Sequence, residues 1–466
     1  MAPLLPAFDL SVFKARRQRL LATLEAQGGG IALIPTGRLK MRNADSPYPF
    51  RFDSSFYYLT GFNEPDAWLV LEAGPNGSRS TLFCQAKDPK MEIWEGLLWG
   101  PYEAAATFGF DQAFDHNDLN EWLPNALVGH RQVWTPMPHA AVPDLLTQLQ
   151  TWLSQAKSSA RGLKAVPTQI TDLSPVLTDM RVIKDGAECD MMHQSARIAA
   201  QAHRQAMRAA RPGIAEYALE AEILKVFRQH GAQSPAYETI VAAGQNTCIL
   251  HHRAGATLMH DGDLVLIDAG CELNGYASDI TRTFPVNGRF SGPQAALYDI
   301  VLAAQKAAIE RTSPVHHFNS GHEAAVRVIT QGLIDEGLLK GSLDSQIEEE
   351  TYKHFYMHRT GHWLGLDVHD VGRYRDLPVE PVSTTDDDAS VTPPWRQLQP
   401  GMVLTIEPGI YVRPQEDVHE QFWHIGIRIE DDALVTPNGC ELLTRDVPVE
   451  RAEIEALMAN DLTATN

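Results

Sequence analysis

Two aspartates stand where apolar runs meet turns in the second half of this sequence. Asp268 ends the run LVLID and is followed by Ala-Gly, while Asp279 lies within YASDITRTF (276–284), a segment expected to form a strand. A carboxylate in such surroundings needs a cation or a hydrogen-bond donor as its partner. For either aspartate alone, capping of a turn is the simpler explanation.

Two glutamates occupy similar places further along the chain. Glu407 ends MVLTIE directly before Pro-Gly, and Glu430 lies two residues after Arg428 in HIGIRIEDD (424–432). Residues two apart share one face of a strand, so Arg428 and Glu430 are expected side by side. A buried ion pair between them is the alternative to a ligand role.

Three histidines fall close together in HRTGHWLGLDVHDVG: His358, His362 and His369. A single histidine is more often a hydrogen-bonded structural residue than a ligand. Three of them in a stretch rich in glycine, where the backbone can approach a substrate, indicate a functional site.

Together these residues supply four carboxylates and one histidine, the donor set of a pair of oxygen-preferring divalent ions. Two such ions lie about 3.5–4 Å apart, which requires bridging carboxylates. One imidazole among four carboxylates favours manganese or cobalt over a structural zinc, which prefers cysteine and histidine. Two divalent metal ions, with Mn²⁺ favoured, are therefore the expected cofactors. The expected ligands are Asp268, Asp279, His362, Glu407 and Glu430.

The bulk composition fits an enzyme of this kind. The chain has 466 residues, of which 44% are hydrophobic and 21% charged, and its formal charge is −20. That acidic excess argues against nucleic acid and anionic membranes as partners. The five cysteines are scattered without a C-x-x-C spacing, which favours a reducing compartment. No secretory signal and no apolar run of about 20 residues is recognisable, so we expect a cytoplasmic, soluble protein.

The order of elements predicts an α/β (α+β) protein with two domains, since 466 residues exceed what one core holds. Residues 1–175 alternate helix and strand and form a small α/β domain. Residues 176–466 form the second domain, in which two helices followed by strands occur twice. The repeated order predicts a pseudo-two-fold repeat.

At this point the motifs resemble those of a known family, the proline-specific metallopeptidases of the pita-bread fold, and within it the aminopeptidase P (Xaa-Pro aminopeptidase) family. The resemblance covers nearly the whole chain. It is carried by NADSPYPFRFDSSFYYLTGFNEPDA (43–67), TIVAAGQNTCILHHRAG (239–255), DGDLVLIDAG, DITRTFPVNG, GHWLGLDVHDVG, TIEPGIYV and GIRIEDD.

The resemblance implies release of the N-terminal residue from peptides with proline in second position. It implies that His251 and His369 contact the peptide and stabilise the tetrahedral intermediate, and that His358 lies on the proline side. Arg428 and Tyr411 are implied as hydrogen-bonding residues that orient the ligands. Glu407 is implied as the carrier of a proton to the leaving nitrogen.

Two other functions remain open from the sequence. A prolidase cleaves Xaa-Pro dipeptides with the same metal chemistry, and no feature of the sequence alone separates it from the aminopeptidase. A pita-bread domain without catalysis, serving as a binding module, is the remote alternative; such domains typically lack the metal ligands.

The chain departs from the family in two places. After His251 the family usually has Tyr-x-x-Asn, whereas this chain has His-Arg-Ala-Gly at 252–255. The Pro-, Ser-, Thr- and Asp-rich segment 375–398 is longer than the family's usual link between the last substrate histidine and the TIEPG strand, and we expect it to be a surface loop.

In tetrameric relatives, the N-terminal domain of one subunit forms part of the wall of another subunit's active site. A homo-oligomer (dimer or tetramer) is therefore implied, with Asp45 and Trp94 as candidates for that wall.

Overall fold

The computed structural model of the protein describes residues 9–74, 77–160, 164–376 and 392–462. The chain divides into two compact units, Met1–Met180 and Arg181–Asn466. Most of the acidic segment expected to be a surface loop, residues 377–391, lies outside the described residues.

The first unit is built from short helices and a mixed sheet. Its helices are α1 (Ser11–Ala26), α2 (Ser54–Thr60), α3 (Pro89–Glu95), α4 (Gly100–Phe108), α5 (Leu119–Leu127), α6 (Leu145–Ser159) and α7 (Ser174–Arg181), the last ending at the boundary. Its strands are β1 (Gly30–Pro35), β2 (Met41–Asn43), β3 (Ser46–Pro47), β4 (Trp68–Ala73), β5 (Arg79–Cys84), β6 (Gln112–Asp115), β7 (Gln132–Thr135) and β8 (Gln169–Asp172).

The main sheet of this unit has the strand order β6-β5-β4-β1-β7-β8. Strand β1 pairs antiparallel with β4 and parallel with β7, and every residue of β1 is buried. That burial explains why GIALIP is apolar throughout instead of alternating. Helix α6 packs on the same core through Leu145, Leu149, Trp152 and Ala156, whose spacing places them on one helical face.

The second unit contains the helices α8 (Gly186–Ala209), α9 (Glu216–Gln229), α10 (Gly292–Glu310), α11 (Ser320–Asp335), α12 (Leu343–Glu348) and α13 (Arg451–Leu462). Its strands are β9 (Ser234–Pro235), β10 (Ile240–Ala243), β11 (Leu264–Asp268), β12 (Cys271–Leu273), β13 (Tyr276–Ala277), β14 (Thr281–Pro285), β15 (Val403–Ile406), β16 (Gly409–Val412), β17 (Ile425–Arg428), β18 (Asp431–Thr436) and β19 (Gly439–Leu442).

The expected repeat is present in this unit. Helices α8 and α9 precede an antiparallel sheet ordered β10-β11-β14, and α10 and α11 precede one ordered β15-β18-β19. The first helix of each set begins with a capping box, formed by Asp185 with Glu188 in α8 and by Ser291 with Gln294 in α10. Each repeat therefore starts from the same local signal.

Two of the expected strands are interrupted. The segment 276–284 divides into β13 and β14, which belong to different sheets, and Asp279 lies in the break. The segment 424–432 divides into β17 and β18 in the same way, with Glu430 between them. Each segment therefore supplies two strands, because the chain changes from one sheet to another in its middle.

We predict that Gly270→Ala destabilises the second unit. A Cβ atom at Gly270 would lie 1.6 Å from the carbonyl oxygen of Ser278, so two backbone segments would have to separate. We expect the free energy of unfolding of the Gly270→Ala variant to fall by about 1–3 kcal/mol or more, as measured by thermal or urea unfolding. Gly292→Ala is the matched control, because nothing lies within 4 Å of its Cβ position. Equal stability of the two variants would contradict the prediction.

Candidate metal centre and active site

Four carboxylates share one topological position in the second unit. Asp268 is the last residue of β11, and the chain then enters the sheet of β12; Glu407 separates β15 from β16 in the same manner. Asp279 and Glu430 occupy the two breaks described above. Each carboxylate therefore lies where the chain leaves one sheet for another, at the end of a strand or just beyond it.

Asp279, His362 and Glu430 form the tightest group among the described residues. One ligand atom from each lies within 4.8 Å of the others. The Nε2 atom of His362 is 3.5 Å from Asp279 Oδ2 and 3.7 Å from Glu407 Oε1. Its Nδ1–H donates a hydrogen bond to the carbonyl oxygen of Trp363 at 3.0 Å, which leaves Nε2 available as a ligand.

Asp268 joins this group through Tyr237, a residue that the sequence analysis missed. The Tyr237 hydroxyl lies 2.6 Å from Asp268 Oδ1 and 2.5 Å from Asp279 Oδ1. Its partners are 31 and 42 residues away, so no local spacing connects them. The only local signal is a tyrosine just before the strand that opens with Ile240.

Arg428 connects the carboxylates to the predicted substrate side. Its Nη2 donates to Asp268 Oδ2 at 2.6 Å, and its Nη1 donates to the Tyr411 hydroxyl at 2.9 Å. Tyr411 in turn lies 2.8 Å from Nε2 of His358, whose Nδ1 faces the carbonyl oxygen of Arg359. The sequence led us to expect Arg428 beside Glu430, but the carboxylate that pairs with its guanidinium in the structure is that of Asp268.

Threonine side chains hold the remaining ligands, and sequence reasoning missed them as well. Thr281 donates to Glu430 Oε2 at 2.6 Å, and Thr405 donates to Glu407 Oε1 at 3.3 Å. Thr405 also accepts the backbone N–H of His362 at 3.0 Å. Each threonine lies in a strand that borders the site.

The electrostatics of the site follow from burying like charges together. Burial raises the pKa of Glu430 well above its ordinary value, and the neighbouring carboxylates of Asp279 and Glu407 raise it further. Burial also raises the pKa of Glu407, to about 7. Burial lowers the pKa of His362, but Asp279 and Glu407 outweigh it and raise that pKa to about 9. The pKa of His358 falls to about 3 because of burial and Arg428.

These shifts indicate that the donor set suits a divalent cation. A bound cation would compensate the carboxylates and displace the proton from His362, since metal ligands must be deprotonated. Acidic oxygens with one imidazole are the donors that oxygen-preferring divalent ions take. The residues present therefore fit an oxygen-preferring divalent metal ion.

Nine of the ten predicted site residues line one cavity of about 670 Å³. The tenth, Tyr411, contacts two of them, His358 and Arg428, through its hydroxyl. His369 packs against His362 with ring centroids 4.2 Å apart. The residue after it, Asp370, is buried and held by Arg181 Nη2 at 2.6 Å and Lys184 Nζ at 2.9 Å. That buried triad fixes the segment that carries His369, and no sequence pattern had indicated it.

Comparisons with known proteins agree with this geometry. Residues 190–437 match the model of metallopeptidase family M24, and residues 13–134 match that of the aminopeptidase P N-terminal domain. Two Xaa-Pro aminopeptidases, from Haemophilus influenzae and Escherichia coli, are each 42% identical to this chain. Both alignments cover 96% of this chain, and 96% and 97% of the respective relatives.

Solved structures give the same result. The Pseudomonas aeruginosa aminopeptidase PepP matches with a TM-score of 0.91 and 46% identity, covering 98% of this chain and 99% of that one. A Glu-to-Ala variant of Escherichia coli aminopeptidase P in complex with substrate matches at 0.90 and 40%, with the same coverage. The fold and site define a metallopeptidase. The chain belongs to family M24 and, within it, to the aminopeptidase P group.

Membership in this family confirms the predicted fold class, with its N-terminal domain and pita-bread domain, and the prediction of a metal-dependent hydrolase. Among the described residues, no helix is both long and apolar enough to span a bilayer.

We predict that Tyr237→Phe weakens metal binding about 10–100-fold, because both aspartates lose the hydroxyl that orients them. Calorimetric titration of Mn²⁺ into metal-free protein measures the change. Tyr298→Phe serves as the control, since it removes a buried hydroxyl that donates to the carbonyl of Val449 in another part of the unit. Unchanged affinity in Tyr237→Phe would show that the hydroxyl does not orient the ligands.

Proposed function

We propose that this protein releases the N-terminal residue from peptides that carry proline in second position. The observation that supports this most directly is the convergence of all five candidate ligands with three histidines on one cavity. The relatives named above are Xaa-Pro aminopeptidases, and their alignments with this chain cover almost the full length of both proteins.

We propose two divalent metal ions as cofactors, with Mn²⁺ as the favoured ion. Asp268 and Asp279 would hold one ion and His362 and Glu407 the other, with Asp279 and Glu430 contributing to both. The excess of oxygen donors over imidazole supports manganese. When bound, such ions supply a nucleophilic hydroxide near neutral pH and polarise the scissile carbonyl.

The residues of the chain have separate roles in the proposal. His251 and His369 bind the peptide and donate hydrogen bonds to the developing oxyanion. Glu407 carries a proton to the nitrogen of the leaving proline. Arg428 keeps Asp268 oriented through its charge-assisted hydrogen bond.

His358 and Tyr411 belong to the proline side of the cavity. The His358 imidazole is neutral over the physiological range because its pKa is about 3. A neutral ring held by the Tyr411 hydroxyl presents an uncharged wall, which suits the apolar ring of proline better than an imidazolium.

The domain assignment is part of the same proposal. We assign residues 1–175 to an aminopeptidase-P-type N-terminal domain and 176–466 to the catalytic domain. The ranges that match the two family models, 13–134 and 190–437, lie within these bounds. All five cysteines are free, which supports a cytoplasmic location.

We further propose that the protein forms a homo-oligomer, a dimer or a tetramer, through its first unit. Trp94 and Ile93 of α3 are 82% and 81% exposed, and Tyr102 is 87% exposed, whereas Trp99 is buried. Large apolar side chains exposed together mark interaction surfaces. Asp45 is also exposed, in the turn between β2 and β3.

Metal dependence and substrate length test the function. We expect purified protein to cleave Ala-Pro-Ala, to lose activity with a chelator, and to regain it when Mn²⁺ is added back. A peptide with alanine in second position is the control and should be a far poorer substrate. Full activity in metal-free protein would refute the mechanism, and cleavage of Ala-Pro dipeptide alone would assign a prolidase instead.

The oligomer is tested by Trp94→Glu, which places a charge on the exposed face of α3. We expect a smaller assembly by light scattering after size-exclusion chromatography, together with lower activity per chain if a neighbour walls the site. Val315→Glu is the control, because Val315 is also 82% exposed but lies in the second unit. An unchanged mass for Trp94→Glu would move the interface elsewhere.

A further inference from the structure

A buried carboxylate outside the metal site collects four hydrogen-bond donors. Glu216, the first residue of α9, is fully buried, and it accepts from Ala243 N and Asn246 Nδ2 at 2.9 Å on Oε1. On Oε2 it accepts from Gly255 N at 3.0 Å and lies 2.8 Å from His252 Nε2. Burial raises its pKa, but these hydrogen bonds outweigh burial and keep that pKa below its ordinary value. Glu216 is therefore an ionised acceptor for all four.

The four donors lie on both sides of His251 in the chain. Ala243 and Asn246 precede it, at the end of β10 and in the 3₁₀ turn Gly244–Cys248, and His252 and Gly255 follow it. One carboxylate thus closes the loop that carries His251. The loop is held further by the N–H of Tyr217, which donates to the carbonyl of Gly255 at 3.1 Å.

His251 differs from His252, His358 and His362, each of which has a ring nitrogen within hydrogen-bond distance of a partner. Its side chain is exposed to the cavity, and within the described part of the chain no side-chain hydrogen bond fixes its ring. Its position is consequently set by the backbone of the loop. The loop, in turn, has only one side-chain donor to Glu216 after His251, namely His252.

We propose that His252 is a positioning residue for His251, acting through its contact with the buried carboxylate of Glu216. The inference rests on the proposed function, in which His251 binds the peptide. His252 adjoins His251 and itself lines the cavity. Its ring therefore contacts Glu216 on one side and lines the cavity on the other, so we expect substitutions of His252 to change how peptides bind.

The test compares His252→Leu with His252→Gln in the full-length metal-loaded enzyme. Leucine removes the donor, whereas the amide nitrogen of glutamine sits at the same number of bonds from Cβ as Nε2 and retains it. We expect His252→Leu to lower kcat/KM for Ala-Pro-Ala about tenfold, mainly through a higher KM, and His252→Gln to restore most of it.

A double-mutant cycle with His251→Ala separates positioning from an independent effect. If His252 acts through His251, then His252→Leu has little further effect in the His251→Ala background. Additive losses would overturn the proposal, as would wild-type kinetics in His252→Leu. Glu216→Gln weakens the same loop closure from the other side and is expected to raise KM in the same direction.

Amide hydrogen exchange provides a readout that does not depend on turnover. We expect faster exchange at residues 251–255 in His252→Leu than in the wild type, and near wild-type exchange in His252→Gln. If the wild type fails to cleave any Xaa-Pro peptide, the proposed function is wrong although the exchange difference persists. If the wild type is active and exchange is unchanged in His252→Leu, the positioning role alone is refuted.

Discussion

Repulsion among four clustered carboxylates is the main physical constraint on the structure of the second unit. Asp268, Asp279, Glu407 and Glu430 line one cavity, and two like charges about 4 Å apart near a protein surface repel by roughly 4 kcal/mol. Burial is the main cause of the raised pKa values of Asp279, Glu407 and Glu430, and repulsion from the neighbouring carboxylates raises them further. A protein retains such a cluster only where a cation compensates it, so the cluster and the metal dependence of the family have one physical origin.

The two halves of the repeat hold these charges for each other. Asp268, from the first half, receives Arg428 from the second, and Glu430, from the second half, receives the hydroxyl of Thr281 from the first. The backbone N–H of Asp279 donates to Asp432 in the same crossing manner, at 3.0 Å. These bonds across the repeat add to those within each half, from Tyr237 to Asp268 and from Thr405 to Glu407. The arrangement of the site therefore depends on both halves being folded against each other.

The sequence predicted the identity of the clustered residues better than their local geometry. The apolar runs before Asp268 and Glu407 located strand ends correctly, because burial on both faces leaves a clear pattern. The breaks at Asp279 and Glu430 were missed, because only residues 278–280 separate β13 from β14 and only residues 429–430 separate β17 from β18, so that each pair looks like one strand in the sequence. Tyr237 could not be found at all, because what defines it is a contact across 31 residues of chain and not a spacing.

The histidines around the metal ligands are held with different firmness, and this difference bears on specificity. His358 is fixed by Tyr411 and kept neutral, and the segment of His369 is fixed by the buried charge of Asp370. The loop of His251 is closed mainly by the buried carboxylate of Glu216, with an added backbone bond from Tyr217 to Gly255. His358 and His369 share a segment with His362, one of the proposed metal ligands. The loop of His251 contains none of the proposed ligands, so substitutions there can change the proposed peptide contacts without changing the residues proposed to hold metal.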